Sequence, residues 1–210
     1  MLLYFYLMGA AFLRDCMRPA LADAWRQRSF APCRDLCAEV VARSAHTPPD
    51  DCVVRQVARG LSFAREFWQG LVGELLVFAC EDMPLVQTAP ATLCCLLAPR
   101  QYTLGDVPRS AFAPIQQAHF GSRDLRFGGA FYRPDHAGLN DEDDVARLLR
   151  YLDGIDSNVW NESLLCPMVE FASCEERAEE LAFIRDWWPA LVEIYRSATI
   201  QRQVIVCERL

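Results

Sequence analysis

The stretch Ser173–Leu210 constrains the fold more than any other part of the chain. Ser173 and Glu176 have the spacing of a capping box, in which the Ser side chain accepts from the backbone three residues on while the Glu reaches back. Leu181, Ile184, Trp188, Leu191, Tyr195 and Ala198 then recur at alternating intervals of three and four, which lines them along one face of a helix. Pro189 falls inside that run, removes one backbone donor and is expected to kink the helix. Gln203-Val204-Ile205-Val206-Cys207 has the β-branched character of a short strand. The opening Leu2–Leu7, with Tyr4, Phe5 and Tyr6 inside it, reads as another. The expectation is a helix-dominated α+β fold in which the N- and C-terminal strands lie side by side in one small sheet packed by helices, residues 1–210 forming a single globular domain.

Composition narrows the function classes. The 210 residues are 52% hydrophobic and 23% charged, enough apolar material for a sizeable core and too ordinary a charge content for disorder. The net charge of −7 leaves no basic face for nucleic acid and suits a protein partner with a basic surface. All 21 basic residues are Arg, so chemistry that needs a lysine Schiff base or a lysine phosphate ligand is excluded. The ten Cys sit mostly in apolar runs and include no C-x-x-C pair, which points to buried thiols in a reducing, cytoplasmic compartment. Residues 1–13 are apolar but lack a basic leader, are broken by Arg14 and Asp15, and are too short to span a bilayer, so no membrane association is expected.

Between the two terminal strands the pattern is mainly helical. Residues 10–28 read as helix divided by Pro19, and 31–44 as helix with Pro32 in its first turn. His46–Asp51 reads as a loop, about 51–58 as a short helix ending at Gly60, and 62–80 as a strongly apolar helix capped by Ser62. Residues 91–98 suit a buried helix slightly better than a buried strand. Segment 99–140 is the least regular, with a helical turn or two at Phe112–His119 and a strand at Phe127–Tyr132; so long a connection is usually functional or poorly ordered. Asn140 is expected to cap a helix over 141–153, its four leading acids suiting the helix dipole, and Asn158–Leu165 to form a further short helix.

The candidate site lies in 116–138. His119, Asp135 and His136 are the candidate catalytic groups, two of them histidines that titrate near neutral pH. Gln117, Ser122, Arg123, Asp124, Tyr132 and Arg133 are the candidate ligand-binding groups, with Arg123 or Arg133 suited to bidentate grip of a carboxylate or phosphate. The competing reading is that these residues cap and brace a long loop. A Cys94–His119–Asp135 nucleophilic set can be written, but both Cys94 and Cys95 sit in Leu-rich sequence and read as core. His119, Asp124, Asp135 and His136 match no compact metal-binding spacing, and Phe127-Gly128-Gly129-Ala130 lacks the spacing and the Lys of a phosphate loop, so no metal and no cofactor are assigned.

Phe131-Tyr132-Arg133-Pro134, the acid-led helix Asp141–Asp153, the helix Leu181–Tyr195, the closing strand Val204–Cys207 and the short opening strand together resemble the bacterial YfbM-like proteins. The resemblance covers residues 1–15 and 125–210; residues 30–125, with their Cys-rich helices, depart from it. It implies a helix-dominated α/β fold and transfers no catalytic residue. The function expected is that of a non-enzymatic binding, regulatory or toxin-neutralising protein. The alternative is a hydrolase- or transferase-like enzyme with a His/Arg/Asp pocket in 116–138.

Overall fold

The computed structural model describes residues 1–44, 48–104 and 113–210, without the side chains of residues 101, 103 and 104. The first part of the expected 46–51 loop and Phe112 lie outside the described residues. Its strands are β1 (Leu2–Gly9), β2 (Leu85–Gln87), β3 (Arg123–Asp124), β4 (Arg126–Phe127), β5 (Ala130–Phe131), β6 (Ala137–Asn140) and β7 (Gln203–Arg209). Its helices are α1 (Arg18–Gln27), α2 (Arg34–Arg43), α3 (Val53–Ala58), α4 (Glu66–Ala79), α5 (Pro90–Leu97), α6 (Pro99–Leu104), α7 (Ala113–Phe120), α8 (Glu142–Asp153) and α9 (Cys174–Gln201). A π-helical segment, Phe12–Met17, leads into α1.

The two terminal strands are neighbours, as their sequences imply. β1 runs antiparallel to β7 from Leu3 opposite Arg209 to Gly9 opposite Gln203. Among the described residues they form the centre of a five-stranded antiparallel sheet in the order β2-β1-β7-β6-β3, with β4 and β5 making a separate hairpin. Helices cover both faces. Leu3, Phe5 and Leu7 alternate with Tyr6 and Met8, and the two sets enter different cores. The first core joins α5, α7, α8 and α9 through Leu93, Ile115, Leu148 and Leu191; the second joins α1 to α4 through Leu21, Cys37, Val54 and Leu75. Each fully buried Leu or Ile in these layers contributes roughly 1.5–3 kcal/mol of burial. A strand buried on both faces reads as a nearly continuous apolar run, as Val204-Ile205-Val206-Cys207 does between the buried Gln203 and Glu208.

Several element ends differ from expectation for identifiable reasons. Ser62 does not cap α4; the helix starts at Glu66 after Arg65. Residues 61–64 stay non-helical, and Phe63 lies against Phe30 and Trp25, ring centroids 4.9 and 6.3 Å apart. Asn140 does not cap α8: Asp141 does, its side chain accepting from Asp144 N–H in a capping box. Ser173 caps α9 as its sequence predicts, and α9 continues through Pro189 as one helix. Residues 158–165 are two 3-10 turns rather than one helix. The largest correction concerns 99–140. Far from lacking pattern, it supplies α6, α7, β3 to β5 and the buried strand β6. Its strands are two to four residues long, too short for a period-2 signal.

Two glycines make that segment possible. A Cβ on Gly138 would lie 1.9 Å from the Phe120 carbonyl oxygen, and one on Gly121, at φ +83°, 2.4 Å from the Gly138 carbonyl carbon. The chain leaving α7 therefore passes directly against β6, and Ser122 N–H donates to the Leu139 carbonyl at 3.1 Å.

Candidate functional site

A cleft of about 880 Å³ lies where the end of α7 passes over β6, beside β3. Its wall is built from Arg18, Pro19 and Ala22 of α1, Phe120 at the end of α7, Gly121 to Asp124 after it, Arg126 and Gly128 of the hairpin, and Pro134, Ala137 and Gly138. The polar side chains in it are Arg18, Ser122, Arg123, Asp124 and Arg126.

Four of these are firmly tethered. Arg123 bridges Asp141 at 2.5 Å and Asp144 at 3.0 Å, which ties β3 to the acidic start of α8; Arg147 adds a second cation to Asp144 at 3.0 Å. Asp144 is almost wholly buried, so these pairs are less screened than exposed ones. Arg126 holds Asp124 at 2.9 Å and stacks on Phe131, its guanidinium 4.2 Å from the ring centre. Ser122 donates through both N–H and Oγ–H to Asn140 Oδ1, at 2.8 and 2.7 Å. Asn140 Nδ2 in turn donates to the Gln117 carbonyl and to the Tyr195 hydroxyl, and Tyr195 donates to the Ala118 carbonyl. That network passes from the cleft wall into the first core and fixes α7, β6 and α9 against one another.

Arg18 is different. It makes no ion pair or side-chain hydrogen bond among the described residues, and its Nε is buried without a partner. It also borders a smaller cleft of about 230 Å³ that contains Asp141, Glu142 and Asp143.

The sequence candidates separate into three places. Ser122, Arg123 and Asp124 come together in the cleft. Tyr132 and Arg133 instead belong to a buried polar cluster around Glu208 of β7. Tyr6 and Tyr132 donate to its two carboxylate oxygens at 2.7 and 3.1 Å, and Arg133 pairs with it from a backbone at φ +41°. Burial and the adjacent Glu208 carboxylate push both tyrosines well above their ordinary range. His119 is fully buried in the first core. Its Nδ1–H donates to the Ile115 carbonyl at 2.7 Å, and its ring stands edge-on to Trp187 at 5.8 Å. Burial lowers its pKa to about 4, so the imidazole is neutral at pH 7. Gln117 is half-buried, its backbone carbonyl bound to Asn140. Asp135 and His136 are exposed on the turn that follows Pro134.

Of the cysteines in apolar runs, Cys37, Cys94, Cys95 and Cys207 are buried as their sequence implies, Cys80 is half-buried, and Cys16, expected to be buried, is exposed on the π-helical segment before α1. Cys94 and Cys95 are buried on α5, and desolvation pushes both thiols up to about 11. Cys207 rises to about 12 for the same reason. Thiols so shifted carry little thiolate at neutral pH. Among the described residues no three His, Cys, Asp or Glu side chains converge as a metal-ligand group, and no helix is long and apolar enough to cross a membrane.

Sequence reasoning missed Arg18, Arg126, Glu208 and Asn140 as site or network members. Glu208 alone had a readable signal: it continues the alternation of Val204 and Val206, which puts a carboxylate on a buried face. No protein-family model, curated protein or solved structure matches the chain.

Proposed function

We propose that the protein is a non-enzymatic binding protein, of the regulatory or toxin-neutralising kind, that receives an anionic group of its partner in the Arg18–Arg123–Arg126 cleft. The observation that carries this reading is the polar lining. It offers guanidinium donors, and its one carboxylate, Asp124, is held by Arg126. Groups suited to acid–base or nucleophilic work, His119 and the thiols of Cys94, Cys95 and Cys207, lie in the core instead. The net charge of −7 favours a partner whose remaining surface is basic and disfavours nucleic acid. Free thiols at all ten cysteines suit a reducing, cytoplasmic setting. The likeness of the C-terminal half to bacterial YfbM-like proteins adds no residue role to this reading.

The enzyme alternative, a hydrolase or transferase, draws on Asp135 and His136, which are exposed next to the cleft residue Pro134. Native mass spectrometry separates the two. Wild-type protein and an Arg18→Gln/Arg123→Gln/Arg126→Gln variant are incubated with inorganic phosphate and with a hexaglutamate peptide. The binding reading expects an adduct of unchanged ligand mass on the wild type that is lost in the variant. An adduct equal in both, or ligand recovered in altered form, contradicts it.

A further inference from the structure

We infer that the cleft is a phosphomonoester site anchored by Arg18; this rests on the binding reading above and names its ligand class. Arg123 faces two carboxylates, Asp141 and Asp144, and Arg126 faces Asp124. Arg18 faces none within ion-pair reach among the described residues, and its Nε is buried with no acceptor. An anion in the cleft would give that guanidinium the partner it lacks within the chain. Arg18 is therefore the group whose interactions change most on binding, while Arg123 and Arg126 are held in place beforehand by their acids.

Donor number favours phosphate over carboxylate. Arg18, Arg123 and Arg126, from α1, β3 and β4, line one cleft, and of the five N–H donors of each guanidinium the acids take only part: Arg123 pairs through two nitrogens, Arg126 through one and Arg18 through none among the described residues. A carboxylate has two oxygens and one charge, and a single fork satisfies it. A phosphomonoester has three terminal oxygens and a charge of about −1.5 to −2, which suits the donors that three guanidiniums leave unspent. The volume, about 880 Å³, exceeds what a phosphate alone fills. The remaining wall is apolar: Pro19, Ala22, Pro134 and Phe120, the last 37% exposed although aromatic. That surface suits the organic body of the ester, with Phe120 as its platform. The phosphate source, a nucleotide or a phosphorylated side chain, shares this chemistry.

Isothermal titration calorimetry with wild type, Arg18→Gln and Phe120→Ser tests the inference. Phenyl phosphate is expected to bind about tenfold tighter than inorganic phosphate and at least tenfold tighter than hexaglutamate. Arg18→Gln should weaken phenyl phosphate by tenfold or more, and Phe120→Ser should erase its advantage over inorganic phosphate. AMP and a phosphoserine heptapeptide, run alongside, assign the source of the phosphate by which keeps the phenyl phosphate affinity. Hexaglutamate binding as tightly as phenyl phosphate, or Arg18→Gln leaving phenyl phosphate affinity unchanged, overturns the inference while leaving the binding reading intact. Failure of every anion to bind a wild-type protein with native circular dichroism overturns both.

Discussion

The buried cluster around Glu208 and the cleft around Arg18 use the same kinds of side chain to opposite ends. At Glu208 every charge is answered: two tyrosine hydroxyls and Arg133 surround one carboxylate that is 3% exposed. The cluster joins β1, β7 and the turn after β5, so its chemistry holds chain segments together. In the cleft the acids outside the lining immobilise Arg123, Asp124 neutralises Arg126, and Arg18 is left unanswered among the described residues. A closed set of ion pairs does structural work, whereas an incomplete one invites a ligand. The difference is a statement about stability and binding, and it can be broken from either side.

The largest effects are expected where the closed set or the crossing beneath the cleft is disrupted. Gly138→Ala places a methyl group on the Phe120 carbonyl, and nothing but backbone movement relieves it. A loss of about 4 kcal/mol or more, or failure to accumulate folded protein, is expected by urea denaturation. Glu208→Ala strands Arg133 and two buried hydroxyls, with an expected cost of about 3–5 kcal/mol; a cost under 1 kcal/mol would mean that the cluster is not what holds β7 to its neighbours. Asn140→Ala removes the acceptor of Ser122 and a donor to Tyr195, and about 2–3 kcal/mol is expected in the same assay.

The next effect is a pH dependence. His119 has a folded pKa of about 4 against about 6.5 when unfolded. The unfolded chain therefore binds the extra proton, so the stability owed to keeping this imidazole neutral is complete above pH 6.5 and is lost as pH falls toward 4. The full loss is about 3 kcal/mol by linkage. Carboxylates titrate in the same window, so the readout is the difference between wild type and His119→Phe: the variant should lack up to about 1.4 kcal/mol per pH unit of the slope. Identical slopes would place His119 in a polar or hydrated setting.

The outer parts of this architecture were legible and the middle was not, for a physical reason. Ser173, Glu176 and the stripe from Leu181 to Ala198 state a helix locally, and Val204–Cys207 states a strand buried on both faces. The site is written in tertiary terms. β3 to β6 are too short to carry a period, and Gly121 and Gly138, which read as loop residues, are where two backbones touch. Ser122, Arg123 and Asp124 were found because Arg and Asp stand adjacent in sequence. Arg18 was not, because nothing in its own helix sets it apart from the other arginines; its distinction is the absence of a partner that only packing reveals. His119 stood out for its chemistry, yet its helix turns it into the core between Ile115 and Trp187.

One double comparison tests the contrast most directly: urea denaturation of wild type, Arg18→Gln and Arg133→Gln, each with and without phenyl phosphate. At a hundredfold excess over its dissociation constant a ligand adds about 2.7 kcal/mol. The account predicts that Arg18→Gln keeps wild-type stability within about 0.5 kcal/mol without ligand and, its affinity down tenfold or more, gains no more than about 1.4 kcal/mol from it. Arg133→Gln should start about 1–2 kcal/mol lower, its half-exposed guanidinium tempering the cost, and gain as much from ligand as wild type. An Arg18→Gln protein that is destabilised on its own, or that gains as much from ligand as wild type, would contradict the assignment of Arg18 to binding rather than to the fold.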